Sequence, residues 1–109
     1  MSAETPMHLI AELRVVDPEK LLEYGRRVQP LLERAGGEII GVSATGTTVM
    51  EGSWEPGLLI IHRWRSRAAF DAFWQSEEYA PLLRLRHEAC ESRIVTFDAE
   101  PPRFSPARD

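Results

Sequence analysis

Apolar and polar positions alternate in step from Met7 to Val15 (MHLIAELRV), where Met7, Leu9, Ala11, Leu13 and Val15 share one side and His8, Ile10, Glu12 and Arg14 the other. This predicts a strand with one clean apolar face and one mixed face. Asp17-Pro18 then reads as a helix start, because Asp17 can cap the first turn and Pro18 has no N–H to leave unpaired. Leu21, Tyr24, Val28, Leu31, Leu32 and Ala35 recur at helical spacing, with a kink expected near Pro30. Gly36-Gly37 ends that helix. Glu38–Ser43 predicts a second strand, Thr45-Gly46 a turn, Thr47–Glu51 a short extended piece, and Pro56-Gly57 a further turn. Leu58–Trp64 (LLIIHRW) is the most apolar strand and therefore the candidate for a central position.

Ser66 is a plausible cap for a second helix that turns Ala69, Phe70, Phe73 and Trp74 inward. Ser76 is where that helix restarts, carrying Tyr79, Leu82, Leu83, Arg86, Ala89 and Cys90 on one stripe. Arg93–Phe97 is the last strand. The order β-α-β-(short β)-β-α-β predicts an α+β ferredoxin-like sandwich with both helical segments on one side of an antiparallel sheet. The domain is expected over residues 7–99. Residues 1–6 are a polar lead-in, and residues 100–109, with three of the eight prolines, form a tail.

Two helical layers cover only one face of such a sheet, yet the strands carry apolar residues on both. Ile39 and Ile40 point oppositely, as do successive residues of Leu58–Ile61, and Ile94 opposes Val95. A homodimer packed sheet to sheet would cover the second face. The competing expectation is that the tail, with Phe104, folds back over it.

Composition narrows the classes. In 109 residues, 13 basic and 17 acidic side chains leave a net charge of −4, which argues against nucleic acid as a partner despite the local cluster Arg63, Arg65, Arg67. One cysteine, Cys90, precludes an internal disulfide. With no apolar run long enough to span a membrane and no signal-peptide pattern, no membrane partner is expected and a cytoplasmic location is. His87 and Cys90, read as an i, i+3 helical pair, lack further ligands, so no metal and no cofactor are expected.

Several pieces together resemble the DUF1330 family of small bacterial proteins of unknown function. They are Tyr24, the Gly36-Gly37 helix end, Glu51-Gly52-x-Trp54-x-Pro56, Ser66 with Ala68-Ala69, Ser76-x-Glu78-Tyr79 and Ser92-Arg93. The resemblance spans about Met7 to Ala99 and implies a dimeric α+β barrel, a fold shared with cofactor-free monooxygenases and small isomerases. The chain departs from the family pattern at Arg63, where an acidic residue is common, and at Arg65, where a proline usually stands.

A pocket between helices and sheet is expected to bind a small lipophilic or carboxylate ligand. His62, sharing a face with Leu58, Ile60 and Trp64, is the candidate proton-transfer group, against the simpler reading of a histidine bonded to a backbone carbonyl. Tyr24, Trp64 and Trp74 are candidate ligand-binding walls, with Tyr79 beside them, although core packing accounts for such aromatics as well. Arg86 lies on an otherwise apolar stripe. It would either grip a carboxylate or, the reading favoured by the residues alone, pair with an acid such as Glu12. Glu51 is a further acid, more simply a loop cap or salt-bridge partner, and Cys90 is expected to be inert packing. Two function classes remain: a homodimeric small-molecule protein, catalytic without a cofactor, or a non-catalytic binding or interaction module with a purely structural aromatic core. A metabolite-sized enzyme site calls for a hollow of roughly 300 Å³ with His62 facing it.

Overall fold

In the computed structural model, which describes residues 4–101, seven elements follow one another along the chain. They are β1 (Met7–Val15), α1 (Pro18–Ala35), β2 (Gly37–Val42), β3 (Leu58–Trp64), α2 (Arg67–Trp74), α3 (Ala80–Ala89) and β4 (Cys90–Asp98). The four strands form one sheet in the order β2-β3-β1-β4, every neighbouring pair antiparallel. This is the ferredoxin-like α+β arrangement the hydrophobic pattern predicts, with β1 and β3 in the middle.

Local chemistry accounts for the boundaries. The Asp17 carboxylate accepts the Lys20 N–H at 3.2 Å and Pro18 opens α1. The helix is continuous through Pro30 and closes at Gly36, whose φ of 103° is left-handed. The second glycine has a separate task. A Cβ on Gly37 would lie 2.7 Å from the Trp64 indole, so close packing against that ring demands glycine. The Ser66 hydroxyl accepts the Ala69 N–H at 3.1 Å and caps α2. Ser76 then joins two helices: its hydroxyl donates to the Phe73 carbonyl at 2.8 Å and accepts the Tyr79 N–H at 3.1 Å.

Three expectations are corrected. Thr47–Glu51 forms no strand; it joins no ladder, although β2 and β4 are edge strands with one neighbour each. Cys90 is not helical but opens β4, which runs longer than Arg93–Phe97 because β1 offers partners as far as Val15 opposite Cys90. His87 and Cys90 are therefore no helical pair. The tail question concerning Phe104 lies outside the described residues.

The core sits on the helix-facing side of the sheet. Met7, Leu9, Ala11 and Leu13 of β1 are buried there, against Val28 and Leu32 of α1, Phe70 and Phe73 of α2, Tyr79, and Leu82 of α3. The register places Trp64, His62, Ile60 and Leu58 beside those β1 residues on the same face. Trp64 is wholly buried, and its ring meets Phe70 and Phe73 at centroid distances of 5.2 and 5.0 Å. Truncating a ring so enclosed costs about 3–5 kcal/mol. The opposite face exposes Ile10, flanked in register by Ile61 of β3 and Val95 of β4, with Phe97 nearby.

Candidate functional site

A partly open cavity of about 50 Å³ lies between the sheet and the helices. Its walls are Leu9, Ala11 and Leu13 of β1, Ile60 and His62 of β3, Ile94 of β4, and residues from all three helices, among them Tyr24, Phe70, Trp74 and Arg86. Tyr79 lines it too. Of the residues singled out from sequence, the fold thus brings Tyr24, His62, Trp74 and Arg86 together. Trp64 is the exception. It is packed behind the cavity under Gly37 and does not line it, because the indole fills the space that the missing Cβ leaves.

Arg86 is the unusual member. Leu82, Arg86 and Ala89 form the buried face of α3, so helical spacing turns a guanidinium inward that is only 4% exposed. Its Nη1 donates a short hydrogen bond to the Ser92 hydroxyl, and its Cζ lies 5.7 Å from the centroid of the Trp74 ring. Its Nε is buried without a partner. Burial works against the charge, but the Tyr79 hydroxyl favours it, and the net displacement of the pKa is upward, so Arg86 stays a cation. Its place in the last turn of α3 also sets it near the negative end of the helix dipole.

The ion pair with Glu12 that the residues suggested does not form. Glu12 points to the opposite face, where it accepts the Gly57 N–H at 2.8 Å and the Arg93 Nε–H at 3.0 Å. The Gly57 hydrogen bond, with Arg93, holds the Glu12 carboxyl below its ordinary range. Among the described residues no aspartate or glutamate lines the cavity and Arg86 makes no ion pair. A buried charge without a counter-charge is expensive, by several kcal/mol in real proteins.

The other polar groups are donors as well. The Tyr24 and Tyr79 hydroxyls meet at 2.9 Å. Burial, reinforced by Tyr79, pushes the Tyr24 phenol upward, so it remains protonated. Trp64 Nε1–H donates to His62 Nδ1 at 3.4 Å, and burial lowers the His62 pKa to about 4. The imidazole is neutral at pH 7 and carries its proton on Nε2. That partner is an indole, not the backbone carbonyl of the simpler reading. With Nδ1 engaged, His62 offers an N–H more readily than it accepts a proton.

The register shows how far apart these groups stand. His62 faces Leu9 and Ser92 faces Leu13, so the imidazole and the base of the guanidinium's partner are four β1 residues, about 13 Å, apart along the strand. A larger hollow of about 350 Å³ lies between α1 and α2, but it opens outward and its Arg34 and Arg65 already face Glu78 and Glu4 at 3.7 and 3.3 Å. Arg67 bonds Thr96 and Asp98, so the three-arginine cluster is divided. Glu51 is exposed and joins none of the ion pairs among the described residues. The Cys90 thiol, raised in pKa by burial, is buried and contacts the Arg86 carbonyl at 3.4 Å. Among the described residues no group of three or more His, Cys, Asp or Glu is placed to hold a metal, and no helix is long and apolar enough to cross a membrane.

The sequence profile described as Domain of unknown function (DUF1330) matches residues 6–99. The chain belongs to the DUF1330 family. Members of its structural neighbourhood include RPA0582, a protein of unknown function from Rhodopseudomonas palustris, whose methylated form is 24% identical with a TM-score of 0.75 over 91% of this chain and 84% of that one. SnoaB, a cofactor-independent oxygenase from Streptomyces nogalater, is 15% identical with a TM-score of 0.65 over 93% and 99%. A protein of unknown function from Bacteroides thetaiotaomicron, described as a possible oxidoreductase, is 17% identical with a TM-score of 0.62 over 89% and 100%. At these identities the likeness is one of fold. No curated protein sequence matches this DUF1330 chain.

The family motifs acquire physical meaning here. Ser76 of Ser-x-Glu-Tyr fixes the turn that delivers Tyr79, and Ser92 of Ser-Arg accepts from Arg86 while Arg93 holds Glu12. Tyr79 and Ser92 were the weakly signalled members of the site. Their adjacency to Arg86 in space could have been inferred only from the helix-to-strand turn at Ala89-Cys90.

Proposed function

We propose that this DUF1330 chain is a homodimeric small-molecule-binding protein whose cavity between sheet and helices receives a small organic anion. The observation that carries this reading is the buried Arg86 guanidinium without a counter-charge, in a cavity whose polar groups donate and whose remaining walls are apolar. A carboxylate would neutralise the cation and occupy the free Nε–H, with the Tyr24–Tyr79 hydroxyl pair close by. The homodimer rests on the apolar row Ile10, Ile61, Val95 and Phe97 on the uncovered sheet face, and a cytoplasmic location accords with the single cysteine.

The catalytic form of this reading is a cofactor-independent reaction through an oxyanion, which the same donors would stabilise. SnoaB, itself described as such an oxygenase, lends the fold as precedent. In this form Arg86 and the tyrosine hydroxyls stabilise charge, and His62 donates from Nε2 instead of acting as a base. The second reading, a non-catalytic module with the aromatics as core, is favoured by one observation: at about 50 Å³ the cavity is well short of the roughly 300 Å³ of a metabolite-sized site.

Thermal-shift measurement with small carboxylic acids and their amides separates these readings. A ligand at one hundred times its Kd adds about 2.7 kcal/mol, a shift on the order of 10 °C for a domain of this size. Acids that raise the midpoint where their amides do not support the anion site. Equal responses, or none to any acid, would favour the non-catalytic module.

A further inference from the structure

We infer that the ligand is a short-chain monocarboxylate and that Trp74 sets its length. The inference deepens the anion-site reading above and rests on it. The cavity's volume of about 50 Å³ is about a third of the roughly 150 Å³ that accommodates the six carbon atoms of a benzene ring, so a tail of about one carbon atom fits beside the headgroup. One guanidinium supplies one positive charge, and among the described residues no second cation lines the walls. A dianion such as succinate or phosphate would therefore bury an unmatched negative charge.

Trp74 is the wall that decides the length. It is the last residue of α2, and its ring lies against Arg86, 5.5 Å from both the Phe70 and Tyr79 rings. The guanidinium bonds Ser92 on the sheet side and is flanked by the Tyr79 hydroxyl, and the indole is the large side chain of the cavity wall beside it. Unlike Trp64, which is wholly buried, Trp74 is only partly buried and lines the cavity itself. Its removal enlarges the hollow without touching the Ser92–Arg86 or Tyr24–Tyr79 bonds.

The test is isothermal titration of the full-length chain with acetate, propionate, butanoate, hexanoate, benzoate, succinate and propionamide, on wild type, Trp74→Ala and Arg86→Met. Where a methylene does not fit, affinity falls by about tenfold or more. Wild type is expected to bind acetate best and to lose affinity steeply by butanoate, with succinate and propionamide silent. Trp74→Ala is expected to invert the order, favouring hexanoate or benzoate. Trp74→Leu, which keeps more of the packing, should move the cutoff in the same direction if the alanine variant does not fold. A wild-type profile flat in chain length, or variant profiles parallel to it, would overturn the role of Trp74 while leaving the anion site intact. Carboxylate binding that survives Arg86→Met, or is absent from wild type, would overturn the anion site itself.

Discussion

Replacing Arg86 by methionine should make the unliganded protein more stable while abolishing its affinity for carboxylates. The guanidinium is 4% exposed and, among the described residues, has no acidic partner and leaves Nε without a hydrogen bond. Exchanging buried charged groups for apolar side chains of similar volume stabilises proteins by up to about 4 kcal/mol. Against that, the variant loses the bond to Ser92, the contact with the Trp74 ring and the interaction with the Tyr79 hydroxyl, each about 1 kcal/mol in net terms. The balance is a gain of up to about 1 kcal/mol, or a midpoint roughly 5 °C higher. Urea denaturation and calorimetry at one fixed protein concentration measure it, and Arg86→Lys serves as the companion that retains the charge without the planar fork. Destabilisation of Arg86→Met by about 2 kcal/mol or more would refute the reasoning, since it would mean the folded protein already compensates the cation.

Three further outcomes follow from the geometry. The His62 pKa is lowered to about 4, against an ordinary value near 6.5, so below that value the unfolded chain binds a proton the native one refuses. Stability should fall as pH drops from about 6.5 towards 4, by up to about 3 kcal/mol, and His62→Gln, which still accepts from Trp64, should flatten that slope in urea melts. Gly37→Ala places a Cβ 2.7 Å from the enclosed Trp64 ring and should cost about 1–3 kcal/mol by denaturant midpoint; a change below about 0.5 kcal/mol would show the ring can yield. Ile10→Glu sets a charge between Ile61 and Val95 and should convert the dimer to monomer in sedimentation velocity, whereas a wild type that sediments as a monomer removes the dimer from the proposal.

The fold was legible in the sequence because its signals are local. Asp17-Pro18, Gly36, Ser66 and Ser76 punctuate the helices through side-chain or left-handed caps that act within four residues, and the period-two pattern of Met7–Leu13 marks the core face directly. Failures occurred where tertiary geometry decides. Thr47–Glu51 has extended character but docks on neither sheet edge, and Cys90 continues a helical stripe yet begins β4 because β1 reaches Val15.

The site was half legible for the same reason. Helical spacing placed Arg86 on a buried stripe, and strand alternation placed His62 inward. Spacing could not say which charge answers Arg86, because Glu12 lies on the opposite sheet face and is taken by Gly57 and Arg93. Nor could alternation separate Trp64 from the cavity wall: it shares a face with His62, but the space released by Gly37, a residue 27 positions earlier, draws the indole away.

The most direct test of the anion site is the Arg86 Nε–Hε resonance, followed in proton–nitrogen spectra during titration with propionate and, separately, propionamide. A bond from that unpartnered N–H to a carboxylate predicts a saturable downfield shift with the acid and none with the amide. A resonance that stays in place while propionate saturates the protein, or that moves equally with both molecules, would contradict it.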